Sequence, residues 1–107
     1  MINKISKIPP IKLTSQQITG NLIGLRNWVC KDNNTSISKD FNFKNFEDTW
    51  SFLTKISMRS HLIGHHPTIV NTYNKVNLKL TTHDCNGLSD IDFKMAKKFD
   101  DYYKNYE

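Results

Sequence analysis

The stretch KNFEDTWSFLTKISMRSHLIGHHPTIVNTYNKVNLKLTTH, residues 44–83, changes its hydrophobic period halfway along. In the first half Phe46, Trp50, Leu53, Ile56 and Ile63 recur at three, four or seven residues, which predicts an amphipathic helix over residues 44–63. Gly64 is placed to end that helix, and Pro67 prevents it from resuming. From Ile69 to His83 the pattern is that of strands. Val76, Leu78 and Leu80 share one face, so Asn77, Lys79, Thr81 and His83 take the other. Tyr73-Asn74-Lys75 is a tight connection within it, where asparagine tolerates the left-handed conformation. A helix followed by a hairpin is the expected centre of the fold.

Upstream, Ile37, Phe41 and Phe43 alternate with polar residues, and Leu25 to Lys31 is extended around Trp28 and Val29. Asp32-Asn33-Asn34 supplies the turn that joins these two strands. Before them, Thr14 with Gln17 forms a capping box and Leu13 with Ile18 a hydrophobic staple, so a short helix starts there and stops near Gly20-Asn21. Pro9-Pro10 forbids a helix further back, which leaves residues 1–12 as an extended arm. Downstream, Ser89-x-x-Asp92 opens a last helix whose stripe is Ile91, Met95, Ala96, Phe99, Tyr102, Tyr103 and Tyr106. Asp90 and Asp92 in its first turn suit the helix dipole. The order is α-β-β-α-β-β-α. It predicts an α+β fold, a four-stranded antiparallel sheet with three helices packed on one face, formed by a single domain over residues 13–107.

With 107 residues there is room for one core and no second domain. No apolar run approaches the roughly 18–20 residues of a membrane span. Lys4, Lys7, Pro9 and Pro10 interrupt the first dozen residues, so no signal-peptide apolar core is present there. A cytoplasmic protein is expected. Cys30 and Cys85 are too few for a disulfide scaffold and form no C-x-x-C pair. The net charge of +5 comes from lysines spread along the chain, with Arg26 and Arg59 the only arginines. Base and phosphate recognition favours the planar arginine fork, so no specific nucleic-acid partner is expected.

All four histidines, His61, His65, His66 and His83, lie within 23 residues. Histidine titrates near neutrality with a pKa of about 6.5, so it can donate or accept a proton without special tuning. His65 and His66 are adjacent and point in different directions, so they cannot do the same job. Capping of carbonyls at a helix end is the plain alternative. A metal is another, since His61 and His65 are four apart on one helix face; without an HExxH glutamate or nearby cysteines that signal is weak.

The segments His65-His66-Pro67, Tyr73-Asn74-Lys75-Val76, Leu80-Thr81-Thr82-His83-Asp84 and Gly87-Leu88-Ser89-x-x-Asp92 together resemble the pterin-4-alpha-carbinolamine dehydratases. Weaker agreement runs through the Leu13-Thr14 helix start, Trp28, and Phe46 to Phe52. Members of that family have the α-β-β-α-β-β-α order. They remove water from 4a-hydroxytetrahydropterins, as part of tetrahydrobiopterin recycling, with no metal and no organic cofactor. The resemblance implies that His65, His66 and His83 are the catalytic histidines, and that His61, Pro67, Thr81, Thr82, Asp84 and Trp28 line the pterin site. Trp28 as a core aromatic and Asp84 as a solvated loop carboxylate are the competing readings. Elimination needs a proton on the departing hydroxyl and loss of one from ring N5, which two near-neutral groups flanking the ring supply. His65 and His83 are the pair expected there, with His66 positioning the substrate.

The chain departs from the family at two positions beside the histidine pair. Glutamate usually stands four residues before the His-His-Pro, where this chain has His61, and Gly64 replaces the usual Asn or Asp. The resemblance also implies a homo-oligomer, dimer or tetramer, and part of the Tyr102, Tyr103, Tyr106 face is expected between subunits. Animal members bind a homeodomain transcription factor through a helix surface. A non-enzymatic coactivator with a transcription-factor partner, and with the nucleus as a second compartment, is therefore the alternative function.

Overall fold

The computed structural model describes residues 10–107, so most of the expected N-terminal arm lies outside the described residues. The elements are helix α1 (Ser15–Leu22), strands β1 (Val29–Lys31) and β2 (Ser36–Asn42), helix α2 (Phe46–Ile63), strands β3 (Thr68–Thr72) and β4 (Lys75–Leu80), and helix α3 (Asp90–Tyr103). Short 3-10 turns follow β4, at His83–Cys85, and α3, at Lys104–Tyr106. The four strands form one antiparallel sheet in the order β1-β2-β4-β3. This is the α+β fold expected from the periodicities. None of the helices of the described residues is long and apolar enough to cross a membrane.

Alternation along β2 and β4 sends Ile37, Phe41, Val76, Leu78 and Leu80 to one face, where all are buried. Ile18 of α1, Phe52, Leu53 and Ile56 of α2, and Met95, Ala96 and Phe99 of α3 join them in one core. The opposite face is polar, with Asn77 Nδ2 donating to Ser38 Oγ and Asp40 Oδ1 at 2.9 and 2.8 Å. One charge breaks the apolar side of β2. Lys39 is 6% exposed there, with its ammonium 2.7 Å from Asp100 Oδ1 and 4.7 Å from the Phe41 ring centre. Trp28 Nε1 donates to the same oxygen at 3.0 Å.

The local signals for α1 act as read. Thr14 Oγ1 accepts from Gln17 N–H, and Gln17 Oε1 accepts from Thr14 N–H. Asp32, Asn33 and Asn34 all take positive φ in the β1–β2 turn. Other expectations need correction. The first strand does not begin at Leu25: that residue donates its N–H to Leu22 O, and Asn27 has φ 66°. The left-handed residue of the β3–β4 turn is Tyr73, at φ 51°. Asn74 instead exchanges bonds with Phe43, its amide donating to Phe43 O and its carbonyl accepting from Phe43 N–H.

The apolar stripe of α2 is only partly the one the spacing suggests: Leu53, Ile56 and Ile63 face the core, and Phe46 and Trp50 do not. Its buried face is Thr49, Phe52, Leu53, Ile56 and Ser60, while Phe46 and Trp50 are about half exposed. Phe46 stacks on Tyr73 with ring centres 6.4 Å apart and also touches Trp50. The three tyrosines at the end of the chain are half-buried and bonded within it. Tyr103 donates to Asn42 O, Tyr106 bonds Ser51 Oγ, and Tyr102 accepts from Arg59 Nε. Tyr103 lies edge-on to Phe41 and Phe43, so much of this aromatic face closes the chain's own core.

Candidate active site

Helix α2 ends in a left-handed Gly64, φ 81° and ψ 28°, whose N–H donates to Ser60 O at 2.9 Å. The His65 N–H donates to the same carbonyl at 3.1 Å. This cap turns the chain sharply at the point where the histidine pair begins, and half-buried Pro67 then leads it into β3. The two imidazoles leave in different directions. His65 turns inward, its side chain 16% exposed, and its Nε2 lies 2.7 Å from Asp92 Oδ1. His66 stays exposed, with its ring centre 5.8 Å from that of His61 one turn back on α2.

Asp92 is wholly buried in the first turn of α3. Its Oδ2 accepts from the Ser89 N–H at 3.0 Å and from the Thr82 hydroxyl at 2.6 Å. Thr82 has one proton and gives it to Asp92, so the 2.7 Å contact between Thr82 Oγ1 and Ser89 Oγ is a bond donated by Ser89. An ionised carboxylate only accepts, and three donors therefore converge on it. With Asp92 ionised, the proton of the His65–Asp92 bond is on Nε2, which leaves Nδ1 as the lone-pair nitrogen of a neutral ring.

The same carboxylate ties two segments together. Thr82 precedes His83, and Thr82 and His65 bond its two oxygens, so Asp92 joins the His83 turn to the helix end that carries His65 and His66. His83 does not end the last strand. Strand β4 stops at Leu80, and an antiparallel bridge between Thr82 and Gly87 closes a small loop in which His83 begins a 3-10 turn. His83 and Asp84 are both exposed on this loop.

The remaining residues expected at the site are distributed unevenly. The Thr82 hydroxyl is engaged by Asp92 and Ser89, and Thr81 Oγ1 donates to Thr35 O at 2.6 Å. Trp28 is 5% exposed, edge-on to Phe41 and bonded to Asp100, two helical turns beyond Asp92, and is not brought to the histidines. His61 lies on the rim of a groove of about 500 Å³ between α2 and α3, with Met58, Leu62, Tyr102, Lys55 and Arg59 around it. Among the described residues, no three His, Cys, Asp or Glu side chains are placed to hold a metal ion. Cys30 and Cys85 are free thiols, and burial pushes the Cys30 thiol above its usual pKa. Sequence reasoning missed Asp92 as a partner of histidine. Its place in the Ser89-x-x-Asp92 capping pattern accounts for it fully at the sequence level and hides the second bond.

A model of the pterin 4 alpha carbinolamine dehydratases matches residues 11–102. The chain belongs to that family. A Saccharomyces cerevisiae protein bearing the family's name is 43% identical over 114 positions, spanning 95% of each chain. One from Sinorhizobium fredii is 41% identical over 91 residues, 85% of this chain and 87% of the relative. Among solved structures, a Brucella melitensis protein described as a transcriptional coactivator/pterin dehydratase superposes with a TM-score of 0.84 at 31% identity, covering 87% of this chain and 99% of that one. A pterin dehydratase-like protein described as a RuBisCO assembly factor of the alpha-carboxysome shares the fold, with a TM-score of 0.65 at 23% identity over 73% of this chain and 90% of that one.

Proposed function

We propose that this chain dehydrates a 4a-hydroxytetrahydropterin to the quinonoid dihydropterin in the cytoplasm, as a step in tetrahydropterin recycling. The observation that carries the reading is the 2.7 Å bond from His65 to a buried carboxylate shared with the loop of His83. His65 Nδ1 takes the proton from ring N5, and the electron pair left there forms the N5=C4a bond as the C4a–O bond breaks. His83 gives its proton to the departing hydroxyl, which leaves as water. Asp92 holds the base in its tautomer and stabilises the imidazolium that forms on it. His66 positions the substrate, and His61, against His66, takes the place the family gives to glutamate. Thr82 supports this centre through its bond to Asp92, and Pro67, Thr81 and Asp84, next to these residues in the chain, line the pterin site.

The test is stopped-flow absorbance of 4a-hydroxytetrahydropterin breakdown. The wild-type chain accelerates it in proportion to its concentration, and the His65→Ala, His83→Ala double variant does not. Equal acceleration by both overturns the reading.

A binding role has its own supporting observation. Phe46, Trp50, Met58 and Leu62 are exposed at four-residue spacing, an apolar row that winds along α2 and is interrupted by Thr54. We infer that this row is where the enzyme self-associates. A Trp50→Glu, Met58→Glu variant is expected to be monomeric in analytical ultracentrifugation at concentrations where the wild type is not. A wild-type monomer that captures a transcription factor would favour the coactivator reading instead.

A further inference from the structure

A side chain at Gly87 would have to displace the stem of Lys12. A Cβ built there stands 2.8 Å from Lys12 Cε and 3.4 Å from both its Cδ and its Cγ. The stem of Lys12 therefore crosses directly over the glycine, which is buried, while the residue as a whole reaches solvent. Gly87 is not among the residues of positive φ, so its backbone would accept alanine, and a methyl there would compete only with the Lys12 stem. Just beyond the crossing, the Leu13 N–H donates to Leu88 O at 2.8 Å. The chain entering α1 is in this way laid against the chain entering α3.

The loop under this crossing is the one that carries His83. The Thr82 N–H donates to Gly87 O at 2.8 Å and the Gly87 N–H to Thr82 O at 3.3 Å, closing residues 83–86. Opposed residues of an antiparallel pair direct their side chains to the same face. Thr82 directs its hydroxyl at Asp92, so the Lys12 stem covers the face of the loop that looks toward the Asp92–His65 pair.

We propose that Lys12 is a positioning residue: its methylene stem clasps Gly87 and fixes the His83 loop against Asp92, and the segment before α1 is part of the site. The inference rests on the dehydratase reading for its effect on rate, but the clasp itself is read independently. Contact is made by the methylenes, so the charge is not required. The experiment compares Lys12→Met, Lys12→Ala, Gly87→Ala and the Lys12→Ala, Gly87→Ala double variant. It reads the His83 imidazole by ¹H–¹⁵N NMR, together with kcat and KM for a 4a-hydroxytetrahydropterin.

Lys12→Met keeps the stem and leaves the His83 resonances and kcat as in the wild type. Gly87→Ala displaces the stem, moves the His83 resonances and lowers kcat about 10- to 100-fold with little change in KM, the scale expected for misplacing a reacting group. In the Lys12→Ala background the same Gly87→Ala change has no further effect, because the new methyl enters vacated space. Equal effects of Gly87→Ala in both backgrounds, or a Lys12→Met variant as impaired as Lys12→Ala, overturn the proposal. If the wild type accelerates nothing while the His83 resonances still follow this pattern, the dehydratase reading has failed and the clasp stands.

Discussion

His65 Nε2 and Asp92 Oδ1 lie 2.7 Å apart, one on a half-buried imidazole at the end of a helix and the other on a carboxylate with no exposure at the start of another. The bond does two things at once. It determines which ring nitrogen of His65 is engaged by the carboxylate and which is left over, and it links the C-terminus of α2 to the N-terminus of α3. Asp92→Asn keeps the shape but replaces one acceptor oxygen with a donor. The variant is expected to lose about 1–3 kcal/mol in urea unfolding, since Thr82, Ser89 and His65 all lose a charged acceptor. Its His65 ring is expected to lose the preference for the Nε2–H tautomer in ¹⁵N NMR. An unchanged tautomer would detach Asp92 from the role given to it.

Lys39 and Asp100 form a buried pair, 6% and 15% exposed, on the apolar side of the sheet. Removing one partner strands the other, so Lys39→Met is expected to destabilise by about 3–5 kcal/mol. Replacing both, as Lys39→Met with Asp100→Leu, recovers most of that loss, less the bond from Trp28 Nε1. Unfolding free energies of the three variants check this. A double variant no better than the single would show that the pair is not the source of the cost.

Ser60 is fully buried and its hydroxyl has no hydrogen-bond partner among the described residues. A buried hydroxyl without a partner costs roughly 1–3 kcal/mol relative to water. Ser60→Ala is therefore expected to raise the unfolding free energy by about 1 kcal/mol without disturbing the Gly64 cap, which uses only the Ser60 carbonyl. A destabilised variant would contradict it.

Asp32 lies beside Lys79, with 2.6 Å between charged atoms. Its carboxyl is held below the usual value of 3.8, first by the hydrogen bond and charge of Lys79 and then by the Ser36 hydroxyl. A depressed folded pKa contributes stability that is present above the unfolded value and lost as pH falls through the folded one. The stability difference between wild type and Asp32→Asn should be constant near neutrality, begin to fall near pH 3.8 and disappear as pH drops through the lower folded value. The pair is exposed, so added salt should shrink that difference. A difference that persists in acid would refute the pairing.

Much of the fold was legible because its signals are local. The Thr14–Gln17 box and the Gly64 cap each depend on a few neighbouring residues, and the alternation of β2 and β4 directly states which face is buried. What was not legible depends on contacts distant in sequence. Phe46 and Trp50 fit the helical period yet lie outside the core, because α2 is apolar on two faces and only packing selects between them. Lys39 reads as a polar position and is buried through Asp100, sixty-one residues away. At the site, clustering of the histidines singled out the end of α2 and the loop after β4 as candidates. Their separate directions, and the carboxylate behind His65, follow from the left-handed Gly64 and from the way α3 is placed, neither of which any spacing encodes.

In the proposed mechanism Asp92-held His65 is the base of a dehydration. The decisive measurement is the rate of 4a-hydroxytetrahydropterin breakdown from pH 6 to 8.5 with wild type, His65→Ala and Asp92→Asn, each shown to be folded. Strong acceleration by the wild type is expected, reduced by about 10²–10⁴ in both variants, the range that positioned acid–base groups supply. Folded variants that match the wild-type rate across that range would contradict it.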